Sequence, residues 1–331
     1  MDDVARAAGV SKAAVSKVIR HAYGVSPEMR DRVERTIAEL EYRPRVAARV
    51  MRGQSFTIGV EIPNLGNEFF TEVMAGASSK LRGSPYQMII APGLGDGRGA
   101  QVLESLSDRQ VDGMIAISPG VSSEWLERLG EEIPMVMLGR HDRAISYDTL
   151  TNDDALGAEL AVSHLIERGH QRIAHLTISS DEESWPRTPH GIRHRAYIDT
   201  LEARGLTPVV STCEYSSASA YAAGRELIAS GQITAIFVGN DALAIEVLRA
   251  LADLDLTTDS VAVVGYDDIP LASHPRISLT TVSQFGRHMG ALAIELLLER
   301  IVGGRTDSRH EVVTPELRMR ASSAAPAPLL N

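Results

Sequence analysis

Cysteine is almost absent: Cys213 is the only one in 331 residues, so no disulfide can form within the chain. No stretch approaches the ~20 consecutive apolar residues that a membrane-spanning helix needs. The first residues, Met1-Asp2-Asp3, are acidic and lead into no basic-then-apolar run, so they do not read as a secretory leader. Together these absences point to a cytoplasmic protein with no membrane partner. Several enzyme signatures are missing too. There is no G-x-x-x-x-G-K-[ST] phosphate loop, no G-x-S-x-G nucleophile elbow and no H-E-x-x-H zinc helix. What is present is an ordinary globular composition, 44% hydrophobic and 23% charged, long enough at ~150 residues per domain for about two domains. The formal net charge is -10, which taken alone argues against a nucleic-acid partner.

The charge is unevenly spread. Residues 1–55 hold eleven Lys and Arg against seven Asp and Glu, a net +4, and the remainder carries −14. A small basic head on an acidic body suits a nucleic-acid-binding module joined to something else, although a solvated basic face would give the same sum. The pattern inside the head adds to it. Val4, Ala5 and Ala8 repeat at helical spacing and stop at Gly9, which can take the left-handed conformation that ends a helix. Ser11 is placed to cap a second helix, Lys12 to Arg20, with Val15, Val18 and Ile19 inward. Ser26-Pro27-Glu28 opens a third helix through Val33, Ile37 and Leu40 to Tyr42. Helix, glycine turn, helix is the layout whose second helix enters the DNA major groove.

Asp3-Val4-Ala5, Ala8-Gly9-Val10-Ser11, Val15-Ser16-Lys17-Val18, Val25-Ser26, Arg32-Val33 and Leu40-Glu41-Tyr42-Arg43-Pro44, in that order, resemble the head of the lactose/galactose repressor (LacI/GalR) family. The resemblance continues to about residue 320. It implies an N-terminal all-α helix-turn-helix head over 1–43, a hinge over 44–54, and an effector-binding and dimerisation domain over 55–331. It also implies further residues before Asp3, among them a hydroxyl-bearing cap for the first helix. In the family the hinge folds on operator DNA and places an apolar wedge in the minor groove. Met51 stands at that position, with Ala48 beside it and Arg49 and Arg52 near phosphates; read without the resemblance, Arg45 to Arg52 is a basic linker. Base readout falls to Lys12, Ala13, Ala14 and Lys17: lysine donates to guanine O6 and N7, and alanine packs on a thymine methyl. Ser11 and Ser16 are expected at phosphates. The family often has arginine where Lys17 stands, and lysine lacks its planar bidentate contact.

From Phe56 onward strands alternate with helices. Phe56–Ile62, Gln87–Ala91, Asp112–Ile117 and Pro134–Leu138 form one set; Arg172–Ile178, Pro208–Thr212, Thr234–Val238 and Val261–Gly265 form another. Repeated βα units imply parallel sheets covered by helices, and two sets imply two similar lobes. The resemblance sharpens this α/β body to the periplasmic-binding-protein-like fold, two doubly wound parallel-sheet lobes crossed three times by the chain. Lobe one is expected over about 55–153 plus 285–310, lobe two over about 154–284 plus 311–331. Ligands of such lobes sit at the carboxyl ends of the strands, in the cleft.

Effector candidates lie at those strand ends. Phe69 and Phe70, in Asn67-Glu68-Phe69-Phe70, match the family's aromatic motif and could stack on a sugar or base, though one is expected in the core. Arg140 follows the fourth strand. Arg193 precedes Ala196-Tyr197 and resembles the family's effector arginine, with Arg195 as a competitor. Asp267 would accept from ligand hydroxyls, and Asn240 can both donate and accept. Helix capping accounts equally for Asn240 and Asp241. Gln284 sits at a crossover, and Trp185 lies in a polar loop with its role open.

The remaining enzyme readings are thin. Gly95-Asp96-Gly97-Arg98-Gly99-Ala100 fits G-x-G-x-x-A, but after the second strand of the body and without an acidic partner. His190 and His194 stand at i, i+4 with no third metal ligand, and Cys213 lacks an activating neighbour. No metal, cofactor or catalytic residue is expected. Two function classes remain: a free-standing sugar-binding protein, and a homodimeric repressor that binds near-palindromic operator DNA under a small-molecule effector, sugar-like first and purine second. The complete head motif favours the repressor. The apolar stripe Met289, Leu292, Ala293, Leu296 and Leu297, with the helix near 68–83, is expected at the dimer face or in the core.

Overall fold

The computed structural model describes residues 1–19, 22–40, 42, 54–93, 98–178 and 187–323, and the chain divides into two compact units, Met1–Ser55 and Phe56–Asn331. Among the described residues the first unit holds three helices, α1 (Asp2–Ala8), α2 (Lys12–Ile19) and α3 (Pro27–Glu39). Gly9 ends α1 at φ 62°, and the Val10 N–H turns back to the Ala5 carbonyl at 3.0 Å. The Ser11 and Ser26 hydroxyls each accept a first-turn N–H, from Ala14 at 3.1 Å and from Met29 at 3.3 Å. Val4, Ala5, Ala8, Val15, Val18 and Val33 close the core between the helices. Leu40, just past α3, is exposed instead of inward; Thr36 takes a buried position, its hydroxyl donating to the Arg32 carbonyl.

The second unit is built on two six-stranded sheets. The first contains β1 (Thr57–Ile62), β2 (Gln87–Pro92), β3 (Gly113–Ile117), β4 (Met135–Leu138), β5 (Asp148–Asn152) and β11 (His310–Val313), in the order β11-β5-β4-β3-β1-β2, all parallel. The second contains β6 (Ile173–Ile178), β7 (Val209–Cys213), β8 (Ala235–Val238), β9 (Ala262–Asp267), β10 (Thr280–Ser283) and β12 (Glu316–Arg318), in the order β12-β10-β9-β8-β6-β7. Only β12 runs antiparallel to its neighbour. Helices α4 (Glu68–Leu81), α5 (Gly99–Asp108), α6 (Ser123–Glu132) and α11 (Gly286–Ile301) serve the first sheet. Helices α7 (Asp154–Glu167), α8 (Pro189–Glu202), α9 (Ser217–Ala229) and α10 (Asp241–Asp253) serve the second. The chain passes between the sheets after Asn152, after Ser283 and after Val313. Residues Glu311–Val313, expected with lobe two, pair with Leu150–Asn152 in the first sheet.

Helices α4 and α11 cross closely. A Cβ at Gly76 would run into the Arg287 carbonyl, and one at Gly290 into the Val73 carbonyl. Met289, Ala293, Leu296 and Leu297 are buried inside the chain and Leu292 is half-buried against them, so that stripe packs in the core. Exposed apolar positions elsewhere include Ile89 and Ile90 of β2 and Val209 and Val210 of β7, each an edge strand of its sheet. Gly290→Ala is expected to cost about 1–3 kcal/mol by overpacking, read as a lower denaturation midpoint with an unchanged slope.

Candidate functional site

In the head, α2 turns Val15 and Val18 into the core and leaves Lys12, Ala13 and Lys17 exposed, with Ala14 and Ser16 half-buried beside them. The predicted readout face is therefore one continuous helical surface. The Ser11 hydroxyl is used by its cap. The Lys12 ammonium pairs with Asp2, an exposed contact worth little. Ala48, Arg49, Met51 and Arg52 lie outside the described residues, as do Trp185 and Gly95–Gly97.

In the body, a cavity of about 870 Å³ opens between the two sheets at the carboxyl ends of their strands. Phe69, Phe70 and Arg140 line it from the first lobe, Arg193, Asn240 and Asp267 from the second, and Gln284 from the crossover. Arg193, only 3% exposed, is fixed on three sides. Its Nε donates to Asp154 Oδ1 at 2.7 Å, one terminal nitrogen donates to the Gly239 carbonyl at 2.9 Å, and the guanidinium lies 3.5 Å above the Tyr266 ring. Asp154 also accepts from His141 Nε2 at 2.9 Å. Burial works against the Asp154 charge, yet Arg193 and His141 hold its carboxyl below the ordinary value.

Asp267 ends β9 at φ 121°, a strained conformation for a residue other than glycine. Its two oxygens accept from Asn67 Nδ2 at 3.1 Å and from Gln284 Nε2 at 2.5 Å. Asn67 belongs to lobe one, so this carboxylate ties the lobes together across the cavity. Burial pushes it up to about 6, against the pull of Arg193. Asn240 does both things expected of it: Oδ1 caps α10 through the Leu243 N–H at 3.0 Å, while Nδ2 reaches the Tyr215 hydroxyl at 3.3 Å on the cavity wall.

Asp241 is a correction. It does not line the cavity; its carboxylate turns under the sheet, accepting from the Thr281 hydroxyl at 2.6 Å and the Ile269 N–H at 3.0 Å. The first residue of α10 points back along the helix toward β10, which gives it a role in holding loops. Arg140 reaches the cavity wall, but most of its donors are committed to Asp142, Pro119, Val121 and Ser123. Phe69 is both core and cavity wall, and Phe70 meets it edge-on at 5.6 Å.

Glu61, Asp154 and Tyr215 also line the cavity with no signal in the sequence, and so do Asn67, named only as part of the aromatic motif, and His190, weighed only as a metal ligand. Burial drives His190 and His175 down to about 3, so both imidazoles stay neutral. Among the described residues, no group of His, Cys, Asp and Glu could hold a metal, and no helix is long and apolar enough to cross a membrane. Burial pushes the Cys213 thiol up to about 11, which removes thiolate reactivity.

Residues 1–45 match bacterial regulatory proteins of the lacI family, and residues 162–323 match the periplasmic binding protein-like domain. The chain is similar to the ribose operon repressor of Escherichia coli (strain K12), at 34% identity over 98% of this chain and 99% of that one. It is also similar to the transcriptional repressor PurR of Edwardsiella ictaluri (strain 93-146), at 30% identity over 97% and 96%. Among solved structures, the lac repressor dimer bound to operator and the anti-inducer ONPF superposes with a TM-score of 0.83, at 26% identity over 98% of both chains. A LacI-family regulator from Enterococcus faecium with bound ribose superposes at 0.74, with 25% identity over 82% of this chain and 100% of that one.

Proposed function

The chain belongs to the lacI family of bacterial regulatory proteins, and from that premise we propose that it is an operator-binding repressor controlled by a small neutral sugar in the interlobe cavity. It acts in the cytoplasm as a regulator and not as an enzyme. The observation that carries the effector reading is Asp267: a buried carboxylate, aimed into the cavity by a strained backbone, whose two amide partners can be exchanged for ligand hydroxyls. Arg193 supplies donors to ring or hydroxyl oxygens from the same lobe. A purine is the second reading, supported by the Phe69–Phe70 pair and by the relatives named PurR.

Two copies read two half-sites of a near-palindrome, Lys12, Ala13, Ala14 and Lys17 touching base edges and Ser11 and Ser16 facing phosphates. The hinge positions Ala48, Arg49, Met51 and Arg52 follow in the minor groove. The apolar edges of β2 and β7 offer the second copy a surface in each lobe. Effector binding rearranges the lobes and biases the hinge. A coupling of about 1–3 kcal/mol gives roughly 5–150-fold control of DNA affinity.

Filter binding with promoter DNA tests this. At 6–10 phosphate contacts, retention is expected to fall about 10³–10⁵-fold in affinity between 50 and 200 mM salt. Absence of retention at low salt would remove the repressor reading. D-ribose and hypoxanthine, added separately, decide between the sugar and the purine.

A further inference from the structure

Glu61 is the only ionisable residue on β1, whose six residues are all buried. It is 1% exposed and stands at the lobe-one wall of the cavity with Gly93 and Ile117. Its Oε2 accepts the Ile117 N–H at 2.9 Å. Its Oε1 faces Gly93, where a Cβ would come within 2.5 Å of it, and makes no hydrogen bond among the described residues. No cation pairs with it there either. Burial alone raises this carboxyl, to about 7, and only the Ile117 N–H opposes the rise. The other buried carboxylates of the cavity are answered: Asp154 by Arg193 and His141, Asp267 by Asn67 and Gln284.

A buried carboxyl with half its hydrogen-bonding capacity unused is costly, and an apolar side chain would suit the inside of a parallel strand better. The space that Gly93 leaves open keeps Oε1 at the cavity instead of under a methyl group. We infer that Glu61 is a specificity-determining contact for the effector, its Oε1 accepting a hydrogen bond from a hydroxyl at the lobe-one end of a neutral polyhydroxylated ligand. Asp267 accepts from the lobe-two side, so the ligand is gripped by one carboxyl from each lobe. A ligand bringing an anionic group to the lobe-one end meets a carboxylate that no cation offsets, which disfavours sugar phosphates. This inference rests on the sugar reading above.

The test uses the full chain, D-ribose and D-ribose 5-phosphate as probes, and calorimetry with thermal melting. The wild type is expected to bind ribose at least about tenfold more tightly than the phosphate. Glu61→Gln keeps an oxygen for Ile117 and is expected to melt no lower than the wild type. It is expected to bind ribose about 10-fold to 100-fold more weakly, the span of one hydrogen bond to a charged group. Glu61→Leu is expected to remove ribose binding. Asp267→Ala serves as the control for the cavity itself. If the wild type responds to ribose, Asp267→Ala does not, and both Glu61 variants bind within twofold of the wild type, the inference about Glu61 fails while the sugar reading stands. If no sugar binds the wild type, the sugar reading fails and the inference falls with it. A lower melting point of Glu61→Gln with unchanged ribose affinity would make the residue structural and overturn the proposal.

Discussion

With Asp267 replaced by alanine, the protein is expected to hold operator DNA as before and to lose its response to effector. At 100 times its dissociation constant, a ligand adds about 2.7 kcal/mol of stability to the wild type. Hydrogen bonds to a charged acceptor contribute about 1.5–3 kcal/mol each, and Asp267 offers two oxygens, so affinity is expected to drop by about 100-fold or more. Thermal shift against a sugar panel reads the first effect, and filter binding reads the second. A retained shift would dispose of the pocket assignment. The pH dependence has a definite sign. The folded carboxyl titrates at about 6, so ligand affinity falls as pH drops through 6 and the acceptor is protonated. Stability runs the other way. This group's folded value lies above its unfolded one, so its contribution is full at low pH and is lost as pH rises through 6. Asp267→Asn is therefore expected to raise the ligand-free melting temperature at pH 7.5 while weakening the effector. Stability is traded for a carboxylate held ready in the cavity.

Asp148→Ala is expected to be the most destabilising single truncation. Asp148 is fully buried at the start of β5. Its Oδ1 accepts from Arg300 at 2.9 Å, from Arg305 at 3.0 Å and from the Arg309 N–H at 3.0 Å, and its Oδ2 accepts from Arg305 at 2.5 Å. These contacts pin the return from α11 to β11 against the first sheet. Removing the carboxylate strips Arg300 of its counter-charge in a dry site and leaves Arg305 with Glu299 alone, a loss of about 3–5 kcal/mol. Against a total of about 5–15 kcal/mol, that is a large share. Chemical denaturation is expected to show a lower midpoint with an unchanged slope, and Asp148→Asn, which keeps one acceptor, is expected to fall between the two.

The head was readable because its signals are local. Gly9, Ser11 and Ser26-Pro27 each act within a turn of their own position, and the structure uses the two serines and Gly9 as caps. The apolar strands were readable for the same reason. Four strands were not. β5 reads Asp-Thr-Leu-Thr-Asn and β10 reads Thr-Thr-Val-Ser, sequences that suggest surface, yet both are buried. Their acceptors are met by distant partners: Asp148 by arginines about 150 residues on, and Asn152 Oδ1 by the Tyr266 hydroxyl at 3.3 Å. β11 and β12 are too short and too exposed to announce themselves. The site followed the same rule. Asn240 and Asp267 stand at strand ends, where topology directs attention, while Phe69 and Arg193 sit in the helices that follow and were legible through the family motifs they match. Asp154 was missed because its meaning lies in Arg193, 39 residues away. Asp241 was misplaced because an acid at a helix start looks alike whether it faces a ligand or the underside of a sheet.

The three passages between the sheets also set an order of events in time. No single cut separates the lobes, and β11 and β12 follow every other strand along the chain. The first sheet therefore stays one strand short until the ribosome has passed residue 313, and the second until it has passed residue 318. The core of the head is built from residues within its first 42, and low contact order lets it fold early. At ~5–20 residues per second, the interval between the two is on the order of tens of seconds. Throughout it, the growing chain carries its reading head with no working sensor attached.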